Sequence, residues 1–92
     1  MSSEGKRVRS DPRILMQLLI VIDETEKPTR QYLINRFQLS PTSLTRYIRY
    51  ARNHFGVVIN VKYPEGFYSI GSWGAFETGQ VVKELYLSSV SL

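Results

Sequence analysis

Ser40-Pro41-Thr42-Ser43-Leu44-Thr45-Arg46-Tyr47-Ile48-Arg49-Tyr50-Ala51-Arg52-Asn53-His54-Phe55-Gly56 is the stretch on which the reading of this chain turns. Serine followed by proline is a helix start: the hydroxyl accepts from an orphan amide, and proline at the first helical position gives up no hydrogen bond. Gly56 suits the left-handed residue that ends many helices. Counted at 3.6 residues per turn, Leu44, Ile48, Ala51 and Phe55 share one narrow arc, which is expected core. Thr42, Arg46, Arg49 and Asn53 lie opposite, with Ser43, Thr45 and Tyr50 on the flanks. A helix is therefore expected over 41–55, apolar on one side and cationic on the other.

The charge around this helix is segregated. Between Lys27 and Pro64 stand Lys27, Arg30, Arg36, Arg46, Arg49, Arg52 and Lys62 without a single Asp or Glu. The acids sit outside, at Glu4, Asp11, Asp23, Glu24, Glu26, Glu65, Glu77 and Glu84. A merely solvated basic face is the plain alternative, but such segregation exceeds what solubility requires and points to a polyanion. The exposed residue types narrow it further. Arg can give two hydrogen bonds to guanine, Asn two to adenine, and the Thr methyl packs on a thymine methyl.

Ahead of this helix, Lys27-Pro28-Thr29 breaks the chain and Thr29 can cap a second helix, Arg30 to Gln38, with Leu33 and Phe37 one turn apart facing inward. Earlier still, Asp11-Pro12 starts a first helix expected over 12–26. Its run Ile14-Leu15-Met16-Gln17-Leu18-Leu19-Ile20-Val21-Ile22 is apolar on every face, so it needs cover on more than one side, from a partner subunit or from the C-terminal helix. By periodicity alone a buried strand fits this run nearly as well; the capped start and acidic end favour helix.

After Gly56 the period changes. Val57-Val58-Ile59-Asn60-Val61-Lys62-Tyr63 and Phe67-Tyr68-Ser69-Ile70-Gly71 are β-branched and aromatic around Pro64-Glu65-Gly66, the pattern of a β-hairpin. A last amphipathic helix is expected over 75–89 through Val81, Val82, Leu85 and Leu87. The organisation expected is a basic disordered arm at 1–10, a domain at 11–73, and a C-terminal helix within 74–92.

The chain's 92 residues, formal charge of +4 and pI near 9.6 leave room for one core. It has no cysteine, so disulfides and thiolate metal sites are excluded. Residues 14–22 fall well short of the roughly 20 needed to cross a bilayer, so no membrane partner is expected. His54 is the sole histidine and has no cluster of carboxylates beside it, which speaks against a metal. No nucleophile motif or glycine-rich phosphate loop is present; enzyme activity, cofactors and a small-molecule ligand are not expected. Single-strand binding would need Tyr47, Tyr50, Tyr63 and Tyr68 on one surface, and their spacing scatters them.

Leu33 and Phe37 in helix two, Leu39-Ser40 at the turn, Leu44-Thr45-Arg46-Tyr47-Ile48 in helix three and Gly66-Phe67-Tyr68-Ser69-Ile70 in the second strand carry a resemblance. From Arg13 to about Trp73 the chain resembles a winged helix-turn-helix domain, close to the DeoR-like or type-11 subgroup. The resemblance implies an α+β fold of three helices with a hairpin wing, here with an additional C-terminal helix. It also implies base reading in the major groove by Thr42, Ser43, Thr45, Arg46 and Arg49. Two residues depart from the pattern: Gln38 stands where the turn often has Gly, and Tyr47 where an acid often follows the helix-three Arg. Regulators of that type generally carry a large sensor domain, and residues 74–92 do not supply one, so sugar-phosphate sensing is not carried over.

Arg30, Tyr50, Arg52, Asn53, Lys62 and Tyr63 are candidate contacts to the DNA backbone, with Glu65 at the wing tip opposing close approach. The leading expectation is sequence-specific binding of double-stranded DNA by a small transcriptional regulator such as a repressor, cytoplasmic and nucleoid-associated. It would act as a homodimer through helices 12–26 and 75–89, because a lone small module buries little interface. The alternatives are a winged-helix protein-interaction module and an architectural, replication or recombination accessory protein.

Overall fold

In a computed structural model that describes residues 11–90, Val90 without its side chain, the chain forms four helices and a two-stranded antiparallel hairpin. The order is α1 (Pro12–Glu24), α2 (Arg30–Phe37), α3 (Pro41–Phe55), β1 (Val58–Lys62), β2 (Phe67–Ser72), a 3-10 turn (Gly74–Phe76) and α4 (Gly79–Val90). The arm expected at 1–10 lies outside the described residues.

Local signals start each of the first three helices. Asp11 accepts from the Arg13 amide at 2.9 Å, Thr29 from the Tyr32 amide at 3.1 Å and Ser40 from the Ser43 amide at 3.0 Å, each satisfying a donor that the first helical turn leaves open. The ends differ from the sequence expectation in two places. α1 stops at Glu24, where Thr25 turns extended, instead of at residue 26. α2 stops at Phe37 because Gln38 takes the left-handed conformation (φ 55°, ψ 46°), the place where glycine is the unstrained choice. The Leu39 amide then closes onto the Ile34 carbonyl at 3.0 Å, which completes the tight α2–α3 connection.

α3 ends at Gly56 (φ 70°), with the Gly56 amide on the Arg52 carbonyl and the Val57 amide on that of Ala51. Its buried stripe is Leu44, Tyr47 and Ala51, while Ile48 and Phe55 are only half-buried. The apolar arc is thus rotated toward Tyr47 relative to the one counted from the sequence. Tyr47 is only 8% exposed, and its hydroxyl accepts the Asp11 amide at 3.1 Å. That bond makes burial of a phenol tolerable and fastens the start of α1 to the middle of α3.

The hairpin pairs Ile59 with Ile70, Asn60 with Ser69, Val61 with Tyr68 and Lys62 with Phe67, with a bulge at Val58/Ile59. Period-two alternation sends Ile59, Val61, Tyr68 and Ile70 inward and Asn60, Lys62 and Ser69 to solvent. β2 is also held on its other edge, where the Tyr68 amide donates to the Pro28 carbonyl at 2.8 Å and Thr29 bridges Phe67. The first turn of α2 is thereby pinned against the hairpin.

Beyond the hairpin the chain passes so close to the end of α3 that a Cβ on Gly74 would lie 2.1 Å from the Phe55 carbonyl oxygen. Phe76 stacks on Phe55 at 4.6 Å between ring centroids. Glu77 turns the chain with φ 74° and ψ −47°, and the Thr78 hydroxyl accepts from the Val81 amide, so α4 begins at Gly79 and not at Ala75 as expected. α4 lies along α1. Val82 is fully buried in the same core as Leu15, Leu18, Leu19 and Ile22, Tyr86 accepts from the Gln17 amide group, and Lys83 pairs with Glu24. The cover required by the all-round apolar α1 is therefore supplied within the chain. Leu85 and Leu87 remain 46% and 61% exposed.

Candidate nucleic-acid interface

The polar face of α3 follows from helical geometry. Because Leu44, Tyr47 and Ala51 point into the core, Thr42, Arg46, Arg49 and Asn53 point outward, and all four are exposed. Thr42, Arg46 and Arg49 line an open concavity of about 330 Å³ together with Arg30, Pro41 and Thr45. Three guanidinium groups share this depression and no carboxylate lines it. Among the described residues the one ion pair, Lys83 with Glu24, joins α1 to α4 and involves none of them. The lysine's pKa is raised, by its hydrogen bond to Glu24 and then by that carboxylate's charge.

Arg30 is the lining residue that α2 contributes to the concavity. Its Nη2 donates to the Pro41 carbonyl at 2.8 Å and to Thr45 Oγ1 at 2.7 Å, and its Nη1 donates to the Tyr68 hydroxyl at 3.3 Å. All three acceptors are neutral, so the guanidinium is ordered while its full positive charge remains directed at the depression. A fork of donors in fixed geometry is the property that separates Arg from Lys here. One side chain thereby joins the start of α2, the start of α3 and strand β2.

The sequence-derived candidates divide accordingly. Thr42, Arg46 and Arg49 stand together on the open face. Thr45 is half-buried with its hydroxyl engaged by Arg30, and Ser43 is half-buried with its hydroxyl accepting from Ser40 at 3.0 Å. These two shape the helix start more than they present themselves outward. Arg52 and Asn53 are exposed on the last turns of α3. Tyr50 lies apart from the basic concavity: its ring is tilted against that of His54 with 4.1 Å between centroids, and it lines an apolar groove with Pro12, Met16, Phe55 and Leu85. At the far end of the hairpin, Lys62 is exposed and Tyr63 is 78% exposed beside a cis Pro64.

Three further residues stand near the sequence-derived candidates on the hairpin. Tyr68 presents its hydroxyl to Arg30, and Asn60 and Ser69 form an exposed polar pair on the outer hairpin face. Asn60 lies across Gly71, where its Nδ2 comes within 2.5 Å of the position a Cβ would take. The alternation of the two strands places Asn60 and Ser69 outward and was visible in the sequence; the Arg30–Tyr68 contact was not. No helix among the described residues is long and apolar enough to cross a membrane, and no three of their His, Cys, Asp or Glu side chains gather as a metal site would require.

In comparison with known proteins, no family model matches the chain, and neither does any curated protein or solved structure.

Proposed function

We propose that this protein binds double-stranded DNA in a sequence-specific manner, with α3 in the major groove of a winged helix-turn-helix arrangement. The observation that carries the reading is the acid-free concavity in which Arg46 and Arg49 project beside a preset Arg30. A capped helix with one polar face fits a groove about 12 Å wide. Arg46 and Arg49 read base edges, each bidentate contact discriminating by about 1–3 kcal/mol per base pair. Thr42 and Asn53 flank them. Arg30, Arg52, Lys62 and Tyr63 meet phosphates and fix the register without reading sequence. In this reading Thr45 and Ser43 act through the placement of Arg30 and of the helix start.

The same reading makes the protein a small transcriptional regulator working as a homodimer through α1 and α4. Leu85 and Leu87 support this, since large apolar side chains exposed on a short helix gain from burial against another copy. They lie on opposite flanks of α4, Leu85 beside Met16, Tyr50 and Phe76 and Leu87 beside Ile20, Val21 and Arg36. A two-fold contact therefore uses one flank or the other.

Mobility-shift titration against duplexes of varied sequence tests the proposal. Binding that weakens steeply with salt and differs between sequences is the expected result. Equal affinity for every duplex would remove the base-reading role, and no duplex binding at all would leave the interaction-module alternative. Sedimentation at micromolar concentration tests the dimer, which a purely monomeric profile would exclude.

A further inference from the structure

The apolar groove beside Tyr50 has a volume of about 390 Å³, against about 330 Å³ for the arginine concavity. Four elements converge on it: Leu15 and Met16 come from α1, Tyr50 and Phe55 from α3, Phe76 from the 3-10 turn and Leu85 from α4. Contacts within the chain already fix its walls. Phe55 stacks on Phe76 with 4.6 Å between ring centroids, and Tyr50 is tilted against Phe55 at 6.1 Å. Leu15 and Phe76 are buried, whereas Tyr50 and Leu85 remain 37% and 46% exposed. Core and surface side chains thus line one concavity, which has the depth of a small-ligand site and not the flatness of a patch.

Its chemistry restricts the occupant. Among the described residues, no Asp, Glu, Lys, Arg or His lines it. A charged ligand would lose hydration there without gaining a counter-charge. Three aromatic rings and the Met16 thioether offer instead the face, edge and sulfur contacts that favour another ring. Ser89 also lines the groove, and its hydroxyl already donates to the Tyr86 carbonyl at 2.8 Å, which leaves it acceptor capacity alone. A dry cavity of about 150 Å³ accommodates benzene, so this groove has room for about two or three rings.

A second copy of the chain fits less well. A partner surface laid over Tyr50 and Leu85 would leave the concavity unfilled, and side chains facing empty space forfeit their dispersion contacts. The groove on the other flank of α4 differs in kind, since Glu24, Arg36 and Lys83 line it beside Leu87.

We infer that the groove between α1, α3 and α4 is a binding site for a small, neutral aromatic molecule. This goes beyond the DNA-binding reading and does not depend on it. Because Tyr50 and Phe55 belong to the same helix as Arg46 and Arg49, a ligand held there touches the helix assigned to base reading.

The test is a titration of the full chain, without DNA, with the neutral fluorophore phenylnaphthylamine, whose emission rises in apolar surroundings. Wild type is expected to enhance the emission saturably. Leu85→Glu places an uncompensated charge at the groove and is expected to weaken binding about tenfold or more. Leu85→Met restores it, and Leu87→Glu, on the opposite flank, leaves it unchanged. All three replace exposed side chains, so the fold is retained, as circular dichroism verifies. Absence of saturable enhancement with wild type overturns the inference, and so does equal loss, or no loss, in the two glutamate variants. Affinity that weakens as protein concentration rises would mean that a second copy covers the groove, which overturns it too. Since the titration contains no DNA, its failure leaves the duplex-binding reading to be judged by mobility shift alone.

Discussion

Arg30 Nη2 donates a 2.7 Å hydrogen bond to Thr45 Oγ1, which ties the first residue of α2 to the helix face that carries Arg46 and Arg49. The same guanidinium holds the Pro41 carbonyl and the Tyr68 hydroxyl, so three elements converge on a single positive charge. Hydrogen bonds from a charged donor contribute about 1.5–3 kcal/mol each when buried and less when solvent reaches them. Arg30 is half-buried, and the lower end applies.

Replacing Arg30 by Met keeps the aliphatic stem and removes the fork. Stability is expected to fall by about 1–2 kcal/mol, measured by urea denaturation. Arg30→Lys keeps the charge but cannot span three acceptors, so it recovers little of that loss. A double-mutant cycle with Thr45→Val should give a coupling of at least about 0.5 kcal/mol, since the two groups are in direct contact. Strict additivity would show that the bond contributes nothing.

Tyr47→Phe removes only the acceptor for the Asp11 amide and is expected to cost about 1 kcal/mol. Tyr47→Ala also empties a buried site in α3, with an expected cost of about 3–5 kcal/mol. Thermal denaturation of the two variants separates the hydrogen bond from the packing. Equal losses would mean that the hydroxyl, and not the ring, holds the core.

The two glycines where the end of α3 meets the segment after the hairpin should respond differently to alanine. At Gly56 a Cβ meets nothing closer than 3.8 Å, and the cost is the left-handed backbone alone, about 1–2 kcal/mol. At Gly74 the same backbone penalty is joined by collision with the Phe55 carbonyl oxygen and the Gly56 backbone. Gly74→Ala is therefore expected to be markedly the more damaging, read as the difference in denaturation midpoints.

Arg46→Ala and Arg49→Ala change exposed residues with no packing role, so stability should stay within about 0.5 kcal/mol of wild type. Duplex affinity is expected to drop by about 1–3 kcal/mol for each, with relaxed preference at the contacted base pair. Circular dichroism with anisotropy titration reads both quantities on the same samples.

Much of the fold was legible because its signals are local. Asp11-Pro12, Thr29 and Ser40-Pro41 act on amides two or three residues away, and Gly56 ends α3 by its own backbone freedom, so α3 spans the residues its caps suggested. Errors arose where a distant contact decided the outcome. α4 starts at Gly79 because the chain first crosses Gly56 and Phe55 at Gly74 and Phe76, a packing constraint with no local signature. Tyr47 belongs to the core since Asp11, distant in sequence, satisfies its hydroxyl. On the candidate site, composition and helical period found Arg46 and Arg49. The engagement of Thr45 by Arg30 depends on how α2 and β2 meet α3, which no spacing rule contains.

The proposed function requires that the outward face of α3 read DNA sequence. Rounds of selection from a random duplex pool, run in parallel with wild type, Arg46→Ala and Arg49→Ala, test it most directly. The expected result is a two-fold symmetric consensus for wild type that loses a different base pair of each half-site in each variant. A pool that remains random for wild type, or a consensus that survives both substitutions intact, would contradict it.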